Sequence, residues 1–313
     1  MLGRSAGLLI VVGLLSVVLI VGAAAHWGDP LHTPRTELSA PIGRLAFDDH
    51  LGPPVVEAWI NGRGPFKLIL DTGAGGGLIL EQAIADSLGL KRMGSADMGD
   101  PGHPQSLKAS VSRVDSLRLG DVMLRDVLTI YRAGFMPIPG PDRPQGVISY
   151  ALLGELLLTI DYGTHTVEMV RGSLPIASGD SIVNYETRHG VPAIPVALGD
   201  LRLTADLDCG SSHGLTLPER YLDSLRFTSS PTVIEHGRTV NGESVIRGAP
   251  LAGELRLGGK TYVKPIIGFW SMPVANLGHQ FLRDFAVTID QRNKRIRFRP
   301  VTTMSAASQA GAR

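Results

Sequence analysis

The chain has 313 residues and is 43% apolar, enough to bury the core of one large domain or two smaller ones and too much for a disordered chain. Thirty lysines and arginines against 29 acidic residues leave a formal charge of +1, which excludes the broad basic field of a nucleic-acid binder. The single cysteine, Cys209, excludes an intramolecular disulfide and any cysteine-based metal cluster.

In chain order, the first feature is residues 7–25 (GLLIVVGLLSVVLIVGAAA), which carry no charge and follow the single basic residue Arg4. The segment is just long enough to span a bilayer, and its Ala23-Ala24-Ala25 end also suits signal-peptide cleavage. Residues 1–25 therefore read as a signal anchor or signal peptide that puts the remainder outside the cytoplasm. Residues 26–44 mix proline, glycine and charge without apolar periodicity, as expected of a linker. From Leu45 onward, short β-branched runs alternate with glycine and proline, of which the chain holds 38 and 21, and aromatics are only 5%. This is the composition of an all-β protein, with strands expected at residues 55–60, 66–70 and 287–289. Residues 301–313 read as a flexible tail.

Sliding the chain against itself exposes a repeat. At an offset of 137, residues 70–90 match residues 207–227 at nine of 21 positions, including Leu70 with Leu207, Asp71 with Asp208, Gly73 with Gly210 and Gly77 with Gly214. Leu117-Arg118-Leu119-Gly120 returns as Leu255-Arg256-Leu257-Gly258, and Thr159-Ile160-Asp161 as Thr288-Ile289-Asp290. The order is kept while loop lengths change. Two pseudo-symmetric lobes, residues 45–172 and 173–300, account for this, and a site shared between them is the natural expectation.

In each repeat an apolar strand run ends on an aspartate followed by a small residue and glycine. Such a turn presents a carboxylate at a strand end, with backbone N–H groups free to bond it. Asp71-Thr72-Gly73-Ala74 and Asp208-Cys209-Gly210-Ser211 resemble the paired Asp-Thr/Ser-Gly-Ala/Ser/Thr motifs of retropepsin-like and pepsin-like aspartic peptidases. Asn276-Leu277-Gly278 resembles the family's later apolar-apolar-glycine element, and Val147-Ile148-Ser149 is its first-lobe counterpart with serine in place of glycine. The resemblance spans roughly residues 45–300, and the chain is similar to bacterial retropepsin-like proteins with two lobes in one chain. It implies two retropepsin-like β-barrel lobes and an active site complete in a monomer. It also implies a peptide or protein substrate, no cofactor or metal, and a catalytic pair of Asp71 and Asp208. Thr72, Gly73, Ala74, Cys209, Gly210 and Ser211 would support the two turns. The activity implied is endopeptidase cleavage by a water that the dyad activates; a relative that keeps the fold and binds peptides without cutting them is the alternative.

Three departures from the family pattern bear on that alternative. Cys209 stands where a hydroxyl residue braces one active-site loop against the other. Asp206 adds a third acid on the strand face of Asp208, where an apolar residue is usual. Residues 92–112, expected to form a flap over the first carboxylate, lack tyrosine and carry Gly94, Gly99 and Gly102. A serine-hydrolase reading centred on Ser212 in Gly210-Ser211-Ser212-His213-Gly214 needs a strand–turn–helix that the β-rich surroundings do not suggest. Phe269, Trp270 and Met272 are candidates either for a cleft wall or for the core.

Overall fold

The computed structural model describes residues 18–20, 34–100, 105–136, 140, 143–177, 179, 181–239 and 241–301. Alternation of buried and exposed side chains along the long strands gives each sheet one core face, as in Leu107–Leu119 and Val122–Arg132. The turn between those two strands is the two-residue Gly120-Asp121, and its repeat partner is Gly258-Gly259, which joins Glu254–Leu257 to Lys260–Val263. Gly120 and Gly258 both have positive φ, and a Cβ on either would collide with Arg44 or Phe298. The duplicated Leu-Arg-Leu-Gly is thus a strand end running into a tight hairpin that only glycine can turn.

The first sheet runs in the order Gly94–Gly99, Leu107–Leu119, Val122–Arg132, Leu78–Glu81, Gly146–Ser149, Arg63–Asp71, Val55–Ile60 and Ile42–Asp48. It folds back on itself where Trp59 and Ile60 also pair with Arg118 and Leu117, the closure that makes it a barrel. The same hydrogen-bonded order continues through Thr166–Val170 and Leu157–Asp161 to Phe285–Asp290, Arg295–Pro300 and Ile182–Asn184. A second sheet holds Thr232–Thr239, Gly242–Pro250, Ile266–Trp270, Leu215–Pro218, Ala275–Leu277, Leu201–Leu207, Val191–Leu198, Glu254–Leu257 and Lys260–Val263. Among the described residues the α-helices are short, Gln82–Ser87 and His279–Leu282.

The duplicated Thr-Ile-Asp segments meet where the first sheet passes between the two halves. Leu157–Asp161 lies antiparallel to Phe285–Asp290 with Thr159 opposite Thr288, and their hydroxyls are 2.9 Å apart. An antiparallel pair is two-fold symmetric about its midpoint, so a strand paired with its own sequence copy has local two-fold symmetry here. One buried cluster runs through this seam, from Leu70 and Ile148 by way of Leu158, Ile160 and Ile289 to Leu207 and Leu277.

Two segments differ from the sequence reading. Residues 35–44, read as the end of a linker, contribute Arg35–Leu38, paired with Val122–Arg132, and the start of Ile42–Asp48, paired with Thr166–Val170. Buried Thr36 and half-buried Leu38 point inward from a strand too short to show a period between Pro34 and Pro41. Of residues 7–25, only Val18–Ile20 is described, as a strand antiparallel to Asp97, Met98 and Gly99. The rest of that segment, residues 26–33 and the tail beyond Val301 lie outside the described residues. Among the described residues no helix is long and apolar enough to cross a membrane.

Candidate active site

Arg63–Asp71 and Leu201–Leu207 are equivalent strands that deliver Asp71 and Asp208 to the seam between the halves. Each is clamped by a parallel neighbour: Gly146–Ser149 sets Ile148 beside Leu70, and Ala275–Leu277 sets Leu277 beside Leu207. The clamp continues into the second turn, where Asp208 N–H donates to Leu277 O at 3.0 Å. Asp71 is 1% exposed and Asp208 fully buried, and their carboxyl groups share a side-chain hydrogen bond. Gly73 N–H donates to Asp71 Oδ1 at 2.7 Å, and Gly210 N–H from the opposite turn also donates to Asp71.

The glycines of the two motifs admit this approach. A Cβ on Gly73 would lie 2.3 Å from the carboxyl carbon of Asp208, and one on Gly210 would lie 2.4 Å from that of Asp71. The first turn therefore holds its own aspartate, the second donates to that same aspartate, and each glycine leaves room for the opposite carboxyl. Burial pushes the Asp71 carboxyl well above the usual range, the Asp208 charge adds to this, and the two glycine N–H donors oppose it. Two buried carboxyls in this contact titrate as a coupled pair.

Cys209 keeps the brace between the turns. Its backbone N–H donates to Thr72 Oγ1 at 2.9 Å, its thiol donates to Leu70 O at 3.1 Å, and Thr72 N–H donates to Cys209 Sγ at 3.3 Å. Burial, with the charge of Asp71 next in size, holds the thiol protonated, so it serves as a donor. The serine that replaces glycine in Val147-Ile148-Ser149 is equally accounted for. Ser149 Oγ donates to Ala74 O at 2.7 Å, whereas in the second half Ser211 supplies the hydroxyl and Gly278 leaves room for that turn, a Cβ there falling 2.5 Å from His213 O, 2.9 Å from Ser211 O and 3.0 Å from Ser211 Oγ. One hydroxyl per half-site is retained, moved from the turn to the clamping strand.

Two polar residues distinguish the second half-site. Asp206 and Asn276 are register partners on adjacent parallel strands, 2% and 0% exposed. Asn276 Nδ2 donates to Asp208 Oδ2 at 2.5 Å, while Asp206 Oδ2 is buried with no hydrogen-bond partner. Burial raises the Asp206 carboxyl to about 7, the charge of Asp208 assisting and that of Arg188 opposing. The contribution of Asn276 escaped the sequence reading, in which it figured only as part of a strand element; a polar side chain at an otherwise apolar position was the available signal.

Residues 92–112 include the expected hairpin, Gly94–Gly99 paired with Leu107–Leu119, although 101–104 lie outside the described residues. The second half has a counterpart that sequence reasoning missed, Thr232–Thr239 with Gly242–Pro250. The two hairpins touch: Asp100 N–H donates to Asn241 Oδ1 at 2.7 Å, and Asn241 Nδ2 donates to Gln105 O at 2.8 Å. The second hairpin is also tied to its turn, where His213 Nδ1 and Glu235 Oε2 are 2.6 Å apart.

The serine-hydrolase reading does not survive. Ser212 leads into the strand Leu215–Pro218 and not into a helix, and its buried hydroxyl has no base within hydrogen-bond distance. Phe269 is a core residue stacked edge-on against Phe227, and Trp270 and Met272 are buried with Ile246.

A family model described as Aspartyl protease matches residues 56–154, the stretch that holds Asp71 and Ser149, in agreement with a retropepsin-like aspartic peptidase family. The match supports a peptidase acting on peptide or protein. A comparison with curated proteins gives no match.

Proposed function

We propose that the chain is an aspartic endopeptidase whose dyad, Asp71 and Asp208, is shared between two lobes of one polypeptide. The observation that carries this reading is the carboxyl-to-carboxyl contact of two equivalent aspartates, each presented by its own Asp-X-Gly turn. Thr72, Gly73 and Ala74 with Cys209, Gly210 and Ser211 form the supporting turns.

In this reading Asp208, which receives the Asn276 amide, is the ionised member and Asp71 holds the proton. The Asp208 carboxylate takes a proton from water as the water oxygen bonds to the scissile carbonyl carbon. Asp71 gives its proton to the carbonyl oxygen, producing a neutral gem-diol. Collapse of the gem-diol returns a hydroxyl proton to Asp71, the amide nitrogen takes the proton held by Asp208, and the C–N bond breaks. The dyad ends as it began, with no covalent enzyme adduct. A single chain carrying both half-sites acts as a monomer, and residues 7–25 tether or export it so that cleavage takes place outside the cytoplasm.

The test is digestion of a peptide mixture by the full-length chain from acid to neutral pH, beside Asp71→Asn and Asp208→Asn, with cut sites read by mass spectrometry. Cleavage by wild type and its loss in both variants is the expected result. Peptides bound equally by all three proteins but never cut would replace the reading with peptide binding alone.

A further inference from the structure

The chain offers an internal comparison that a symmetric dimer of identical lobes lacks, because equivalent positions in its two half-sites are free to differ. At the register pair one step before each aspartate-clamping pair, the first half has Ile69 beside Val147 and the second has Asp206 beside Asn276. Ile69 and Val147 belong to a buried apolar cluster with Ala96 and Met98 of the first hairpin. Replacing both members of a buried apolar pair with a carboxyl and an amide costs stability unless the groups do something there. Asn276 does: its amide N–H lies against Asp208 Oδ2 at 2.5 Å, and the first half has no side-chain donor in the equivalent position, which is Val147.

Resting on the peptidase reading above, we infer that Asn276 and Asp206 are positioning residues that polarise the dyad, Asn276 fixing Asp208 as the ionised base and Asp206 withdrawing that preference when it ionises. A donor aimed at one carboxylate oxygen stabilises its charged form, so the shared proton is driven to Asp71. Asp206 sits on the same strand face two residues before Asp208. While neutral it leaves the Asn276 contact undisturbed. Once ionised it places a second negative charge beside Asp208, which then competes with Asp71 for the proton. The charged groups about Asp206 are Asp208 and, from the strand Glu186–Arg188, Arg188; Glu186 of that strand is exposed opposite Ala193. The strands on either side, Val191–Leu198 and Ala275–Leu277, carry no titratable side chain. Burial and Asp208 put the Asp206 carboxyl at about 7, so the change falls near neutrality.

The experiment is the pH profile of kcat/KM for one cleaved peptide with the full-length chain and four variants. Asp206→Asn should move the alkaline limb up by about one pH unit or more and leave the acid limb in place. Asn276→Val, which installs the first-half residue, should raise the acid limb by about one pH unit and lower the plateau by about tenfold or more. The double variant Asp206→Ile/Asn276→Val reproduces the apolar pair of the other half-site and guards against misfolding of the single change; it should show the raised acid limb and no alkaline limb near 7. Asp71→Asn separates the two levels of the argument. If it is inactive while the profiles of the other variants superpose on wild type, the polarising roles are wrong and the peptidase reading stands. If it cuts as wild type does, or wild type cuts nothing, the peptidase reading falls and this inference with it.

Discussion

The buried acid Asp206 makes a prediction about stability that is independent of catalysis. Its carboxyl stands at about 7 in the folded chain against an ordinary 3.8, chiefly through burial. The folded value is above the unfolded one, so the native state binds more protons between these pH values. The contribution of Asp206 to stability is therefore greatest below about pH 4, declines as the pH rises, and levels off above about 7. About three pH units at 1.36 kcal/mol each give a cost on the order of 4 kcal/mol at pH 8. Asp206→Asn keeps the shape and removes the ionisation. Urea unfolding of both proteins at intervals from pH 4 to pH 8 measures the difference. Near pH 4 the two should agree within about 1 kcal/mol, and by pH 8 the variant should be more stable by several kcal/mol. Curves that run parallel across the whole range would show that Asp206 gains no proton affinity on folding, and the assignment of its charge state would fail.

Other residues of the site give equally direct tests. Cys209→Ser should preserve the brace, whereas Cys209→Val, which leaves the Thr72 N–H without its sulfur acceptor, should lower unfolding free energy by about 1–3 kcal/mol in denaturant titration. The same thiol, buried and held protonated, should resist iodoacetamide in the native protein and react fully after unfolding, as read by mass. Gly73→Ala or Gly210→Ala drives a methyl into the opposite carboxyl group, and either should reduce peptide cleavage by about a hundredfold or more while circular dichroism still reports β structure. Asn241→Ala cuts the contact between the hairpins, and hydrogen exchange should rise in residues 94–99 and 232–239 together; a rise in one alone would show that the tips do not hold each other.

Much of the site was legible because a duplicated sequence supplies its own alignment. The offset of 137 set Asp71 against Asp208, and the repeat at Thr159 and Thr288 marked two segments that the structure pairs with each other. What stayed hidden depends on which side chains face each other across parallel strands. Asn276 reaches Asp208 across 68 positions of sequence, and neither residue's local pattern reports that register. The exchange of a hydroxyl between Ala74 with Ser149 and Ser211 with Gly278 looked like a lapse at one glycine until the two positions were seen in contact. The strand Arg35–Leu38 was lost for a simpler reason: four residues between prolines are too few to display a period of two.

The same duplication explains why the two half-sites differ where they do. A homodimer that gains an acid before its catalytic aspartate gains it twice, and two buried carboxylates flanking a dyad that already shares one proton would raise the electrostatic cost on both sides. A chain that carries both halves can put the acid and its amide neighbour in one half and keep Ile69 and Val147 in the other. The differences near the dyad follow that logic. The glycines that face the opposite carboxyl group, Gly73 and Gly210, are identical, since either methyl would break the approach. The braces, Thr72 and Cys209, differ in atom type and keep the donor and acceptor pattern. The hydroxyl of each half-site has moved between turn and clamping strand without being lost, whereas Asp206 and Asn276 replace an apolar pair outright, and a one-sided donor is what assigns unequal roles to two otherwise equivalent acids.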